Sequence, residues 1–81
     1  MKVTGNYFNG HYYYVLLPDS KIEFKSLVNL CKANLGRGKI GGNWFIKGVY
    51  ANTDAINSNL RTNSIYIKDK THVFLIQMMA N

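Results

Sequence analysis

Acidic residues are scarce in this chain: four Asp and Glu stand against ten Lys and Arg, a formal charge of +6 on 81 residues. The four, Asp19, Glu23, Asp54 and Asp69, are scattered and present no clustered carboxylates of the kind a two-metal nuclease needs. A single cysteine, Cys31, excludes an internal disulfide, and one Cys with two His offers no zinc-type ligand set. No metal and no cofactor is therefore expected. Long apolar runs are lacking too: the longest, Tyr12 to Leu17, is far short of a bilayer span. The opening Met1-Lys2-Val3-Thr4-Gly5-Asn6 lacks the apolar core of a secretory signal. With the single Cys, this leads us to expect an intact, soluble chain in the reducing cytosol, with no membrane partner.

What is present excludes a disordered basic tail, since 47% of residues are apolar and 14% aromatic. The length suits one domain spanning 1–81. A chain this short buries only about 60% of the surface its unfolded form exposes, so association with a second copy or another partner is expected.

Lys2 to Phe8 and His11 to Leu17 flank Asn9-Gly10, the strongest short hairpin signal, because both turn residues must take positive φ. Pairing Phe8 with His11 sets Val3, Tyr7, Tyr12, Tyr14 and Leu16 on one face and Phe8, Tyr13, Val15 and Leu17 on the other. Both faces are partly apolar, which leaves the core face open. Pro18 closes the second strand. Ser20-Lys21-Ile22-Glu23 is a capping box opening a helix. Phe24, Leu27, Val28, Cys31 and Leu35 form its apolar stripe, and Gly36 stands at its stop. Lys21, Lys25 and Lys32 fall in a narrow arc away from that stripe. Cys31, on the apolar stripe, reads as a buried small hydrophobe.

A basic, glycine-dense loop follows, Gly36-Arg37-Gly38-Lys39-Ile40-Gly41-Gly42, leading into a strand over 43–50. Residues 52–54 read as a turn and 55–61 as a short helix. Two strands, 64–68 and 71–78, then form a second hairpin turning at Asp69-Lys70. The expected fold is α+β: a small antiparallel sheet of about five strands, ordered β-β-α-β-(α)-β-β, with one amphipathic helix on one face.

Gly36-x-Gly38-x-x-Gly41 matches the letter of the dinucleotide fingerprint, but it follows a helix and precedes a strand, the reverse of what that motif requires. The same loop suits a phosphate differently: glycines admit backbone amides, and Arg37 and Lys39 supply charge. A solvated connector is the bland alternative, but Lys32 lies one turn away and continues the basic stripe into the loop. That is the footprint of a nucleic-acid backbone. Trp44, just after the loop, and Lys47 on the same strand join the candidate surface, although Trp44 suits a core position better than a base-stacking one. His11 and His72 are the candidates for a small ribonuclease, yet nothing in the sequence brings them together.

The stretch Leu27 to Ile40 resembles LAGLIDADG homing endonucleases, in which a helix ends at Gly-x-Gly before a strand; the acidic residues that serve that family as metal ligands are missing here. In composition, with ten asparagines and abundant Lys and Tyr, the whole chain resembles the short accessory proteins of T-even-type phages. That likeness implies a non-enzymatic factor for host takeover or anti-defence that binds and blocks a host protein.

The reading of the residues is a non-enzymatic nucleic-acid-binding protein, RNA before DNA, acting through Lys21, Lys25, Lys32, Arg37, Lys39, Trp44 and Lys47, without catalytic residues. The alternative is an inhibitor that docks its positive surface on a host protein without touching nucleic acid.

Overall fold

A computed structural model describes residues 1–50 and 61–80. Strands β1 (Lys2–Phe8) and β2 (His11–Leu17) form the expected hairpin in the expected register, Phe8 opposite His11. Asn9 and Gly10 take φ of 51° and 80°, the type I′ geometry that lets a two-residue loop follow strand twist. Helix α1 covers Lys21–Leu35. Ser20 Oγ accepts the Glu23 amide at 3.1 Å, while Glu23 Oε1 reaches one residue past the usual box and takes the Asp19 amide at 2.8 Å. Gly36 ends the helix with φ of 81°.

Strand β3 (Trp44–Tyr50) pairs antiparallel with β4 (Arg61–Ile67), which also pairs antiparallel with β2. The sheet order is β1-β2-β4-β3, so β2 and β3 run parallel on either side of β4, and α1 carries the chain across it. The short helix expected over 55–61, and the turn at 52–54, lie outside the described residues, except Arg61, which begins β4.

The second hairpin does not form. Residues Lys70–Ala80 are a helix, α2, in place of the expected strand over 71–78, so among the described residues the sheet has four strands where about five were expected, and α1 and α2 cover one face. Asp69 decides this locally: its Oδ1 accepts both the Thr71 amide (2.9 Å) and hydroxyl (2.7 Å), and its carbonyl accepts the amides of His72 and Val73. Those bonds satisfy the orphan donors of a helix start, which an Asp-Lys hairpin turn would not.

Packing settles the face question left open above, because both faces carry core. On the helix side Leu16, Ile65, Ile67 and Trp44 of the sheet meet Leu27, Val28 and Cys31 of α1 and Val73 and Ile76 of α2. On the other side Tyr13, Val15, Phe45 and Tyr66 are buried, with Phe8 and Leu17 packed against them. There Phe45 stacks on Tyr66 at 5.0 Å, and Tyr13 meets Phe45 edge-on at 5.2 Å. Among the described residues no helix is long and apolar enough to cross a membrane.

Candidate anion-binding cleft

The basic loop is wound around Trp44. Its indole, 2% exposed, donates Nε1–H to the Gly36 carbonyl at 2.9 Å. The Lys39 amide bonds the Trp44 carbonyl at 3.0 Å. Gly38 lies flat on the ring: a Cβ there would sit 3.0–3.1 Å from three indole carbons. Gly42 donates to the Lys39 carbonyl at 2.8 Å, and Gly41 takes φ of 82°, so 39–42 is a turn of type II, which demands glycine at its third position. Tyr13 Oη reaches through from the other face to the Gly42 carbonyl at 3.1 Å. A loop tied at both ends and in its middle holds its side chains in place, unlike the solvated connector that the glycine content alone suggests.

This winding opens a cleft of about 520 Å³, in the size range of small-ligand sites. Lys32 from the last turn of α1, with Arg37 and Lys39 from the loop, supplies its cations. Ile40, Trp44 and Ile46 supply apolar wall, and Ile40 and Ile46 are exposed. Among the described residues no acidic side chain lines it. Lys32 also offsets the negative end of the α1 dipole, but three full charges exceed the roughly half charge of a helix terminus. Asp19 and Glu23 lie at the far end of α1, where both approach the Met1 ammonium, at 2.7 and 3.5 Å. Asp69 is committed to capping α2. Among the described residues no Lys or Arg side chain forms an ion pair.

The remaining candidate residues distribute differently. Lys21 and Lys25 are exposed on α1, and the stripe from Lys21 to Lys32 extends about 16 Å along the helix from the cleft, at about 1.5 Å per residue. Lys47 is turned away: strand alternation puts it on the opposite sheet face, where its Nζ lies 5.3 Å from the Phe8 ring centroid and 5.7 Å from that of Tyr66. Trp44, buried and hydrogen-bonded, anchors the loop and has no free face for a base. His11 lies on the aromatic face of the sheet and His72 in the first turn of α2 on the helix face, so the sheet separates them. His72 Nδ1 is buried without a hydrogen-bond partner. Burial raises the Cys31 thiol to about 11, which keeps it protonated and unreactive. Among the described residues no group of His, Cys, Asp and Glu could hold a metal ion.

Sequence reasoning did not find Ile40 and Ile46 as cleft walls. The type II signature of Lys39-Ile40-Gly41-Gly42 was available to locate Ile40, which such a turn puts at its exposed corner. No protein-family model, no curated protein and no solved structure matches the chain.

Proposed function

We propose that this chain is a non-enzymatic module that binds single-stranded nucleic acid, RNA in preference to DNA, with the backbone phosphates on Lys32, Arg37 and Lys39. The observation that carries the reading is the convergence of these three cations on one cleft whose loop is pinned by Trp44. An apolar wall beside a cationic rim suits a nucleotide, with a base against Ile40 and Ile46 and its phosphate on the rim, better than it suits a bare inorganic anion. Single strands fit better than duplex, because α1 and α2 are separated by β3 and β4 and form no helix-turn-helix pair. Lys25 and Lys21 extend the track along α1. The compositional likeness to T-even-type phage accessory proteins supports a cytosolic role in host takeover, with the RNA belonging to a host RNA-handling or defence factor.

Neutralisation of three to five phosphates on a single strand corresponds to a log K against log salt slope of about −2 to −3.5. Fluorescence anisotropy of a labelled single-stranded RNA over a salt series measures it. Changing Arg37 and Lys39 together to Ala is expected to weaken binding and reduce the slope by about 1.4 while the fold is kept. Salt-independent binding, or unchanged affinity in that variant, overturns the reading. Tight, salt-sensitive association with one protein and none with free RNA would favour the inhibitor alternative.

A further inference from the structure

Helix α2 carries no charged side chain after Lys70. Val73 and Ile76 enter the core, yet on its other sides Phe74, Leu75, Met78 and Met79 are 55%, 39%, 75% and 47% exposed. A helix apolar on its outer side as well as its core side belongs in an interior, and α2 shows this pattern with the protein's core on one side. The outer side of α1 differs in charge, since it carries Lys21, Lys25 and Lys32 beside one exposed apolar side chain, Ile22. The four α2 side chains expose on the order of 500 Å² in total, near the upper end of the largest apolar patches that monomers leave open.

We propose that a second copy of this chain covers this face, α2 packing on its counterpart about a two-fold axis. Thr71, Phe74 and Met78 recur at i, i+3 and i+7, the seam spacing of paired helices, with Leu75 beside them. A two-fold axis sets such a seam on itself, which is the self-complementarity that an isologous interface needs. Full burial of both copies of the patch would remove about 1,000 Å² from water, the threshold size for a specific interface. Electrostatics favour the same face. Chains of charge +6 repel one another, and contact is least opposed where charge is sparse, as on α2 beyond its first residue. Lys70, the one charged residue of α2, lies at its first turn with Nζ over the Phe74 ring at 5.8 Å. The cationic cleft stays outside the interface, on α1 and its loop.

Sedimentation equilibrium of the full chain from about 1 to 200 μM, at low and at higher salt, tests the proposal across the concentration range of a threshold-sized interface. The expected result is a monomer–dimer equilibrium that strengthens as salt rises, because screening relieves repulsion between like-charged chains. RNA binding responds to salt in the opposite direction, so the two proposals fail separately. Phe74→Glu and Met78→Glu are each expected to weaken dimerisation at least about tenfold, since every substitution enters the interface twice. Both side chains are more than half exposed, so the circular dichroism spectrum and the RNA affinity of each variant should match those of the parent. Peroxide oxidation supplies a second measurement: Met78 should be protected above the dimerisation midpoint in the parent chain and not in Phe74→Glu. A monomer throughout the range overturns the proposal. So does a dimer that neither substitution weakens, which would put the contact elsewhere, for example on the open edge of β1.

Discussion

The indole nitrogen of Trp44 donates to the carbonyl of Gly36 at 2.9 Å, so the first residue of β3 holds the residue that ends α1. That one bond satisfies a carbonyl at the helix terminus and sets the path of the basic loop between them. Trp44→Phe keeps an aromatic ring but removes the donor and leaves a gap beside Gly38. It is expected to cost about 2–3 kcal/mol, from the lost hydrogen bond and the cavity together. Urea unfolding measures the loss. RNA affinity should fall under conditions where the variant is still folded, because Arg37 and Lys39 are no longer held.

Gly5 and Tyr12 form a second such pair. A Cβ on Gly5 would overlap the Tyr12 hydroxyl, since the phenol of β2 lies across the glycine of β1. Tyr12 is fixed there by edge-to-face contacts with Tyr7 at 5.2 Å and Tyr14 at 5.4 Å. Gly5→Ala displaces the ring and is expected to destabilise by about 1 kcal/mol. In a Tyr12→Ala background the same change should be neutral or stabilising, because alanine then has room and loses less entropy than glycine. A double-mutant cycle from denaturant unfolding reads the coupling.

Lys39 and Lys47 separate charge in the cleft from charge elsewhere. Lys39→Gln is expected to weaken RNA binding and to lower the salt slope by about 0.7. Lys47→Gln should leave both unchanged, because its ammonium lies over Phe8 and Tyr66 on the far face. It should instead lower stability by about 0.5–1 kcal/mol through the lost cation–π contacts. Equal losses of affinity in the two variants would indicate that net charge, and not the cleft, governs binding.

Two exposed groups shape the pH dependence of stability from opposite ends. The Asp19 hydrogen bond raises the Met1 ammonium above its usual value of about 8, so its contribution is full below that pH and is lost as pH rises through the raised value. Hydrogen bonds from the Thr71 hydroxyl and amide lower Asp69 below the usual carboxylate value of about 4. Its contribution is present above that pH and disappears as pH falls through the lowered value. Thermal unfolding against pH should show both limbs. N-terminal acetylation should flatten the alkaline limb alone, and Asp69→Ala the acid limb alone.

The elements legible in the sequence are those that short-range rules specify. Asn9-Gly10 sets both turn and register, so the assignment of side chains to the two faces of β1 and β2 followed from one pairing. Ser20, Glu23 and Gly36 bound α1 within a residue. Residues 71–78 were not legible in the same way. Thr71, Val73 and Ile76 are β-branched, and the apolar run has no polar interruption before Gln77, so alternation and helical period both fit it. The Asp69 cap and the fit of Val73 and Ile76 against α1 and the sheet made it a helix. In the candidate site, the alternation of Trp44 and Lys47 was readable, but which side of β3 faces the helices was not.

By itself the sequence determined the net charge, the hairpin, the extent of α1 and the grouping of Lys32 with Arg37 and Lys39. Each rests on contacts within a turn or two of chain, where propensity and capping act directly. Only the tertiary structure decided that Trp44 is a buried post for the loop, that Lys47 lies across the sheet from the cleft, and that α2 is a helix with one side left apolar. Those outcomes depend on which segments, distant along the chain, exclude water from one another, and burial of that kind is a property of the assembled sheet and helices.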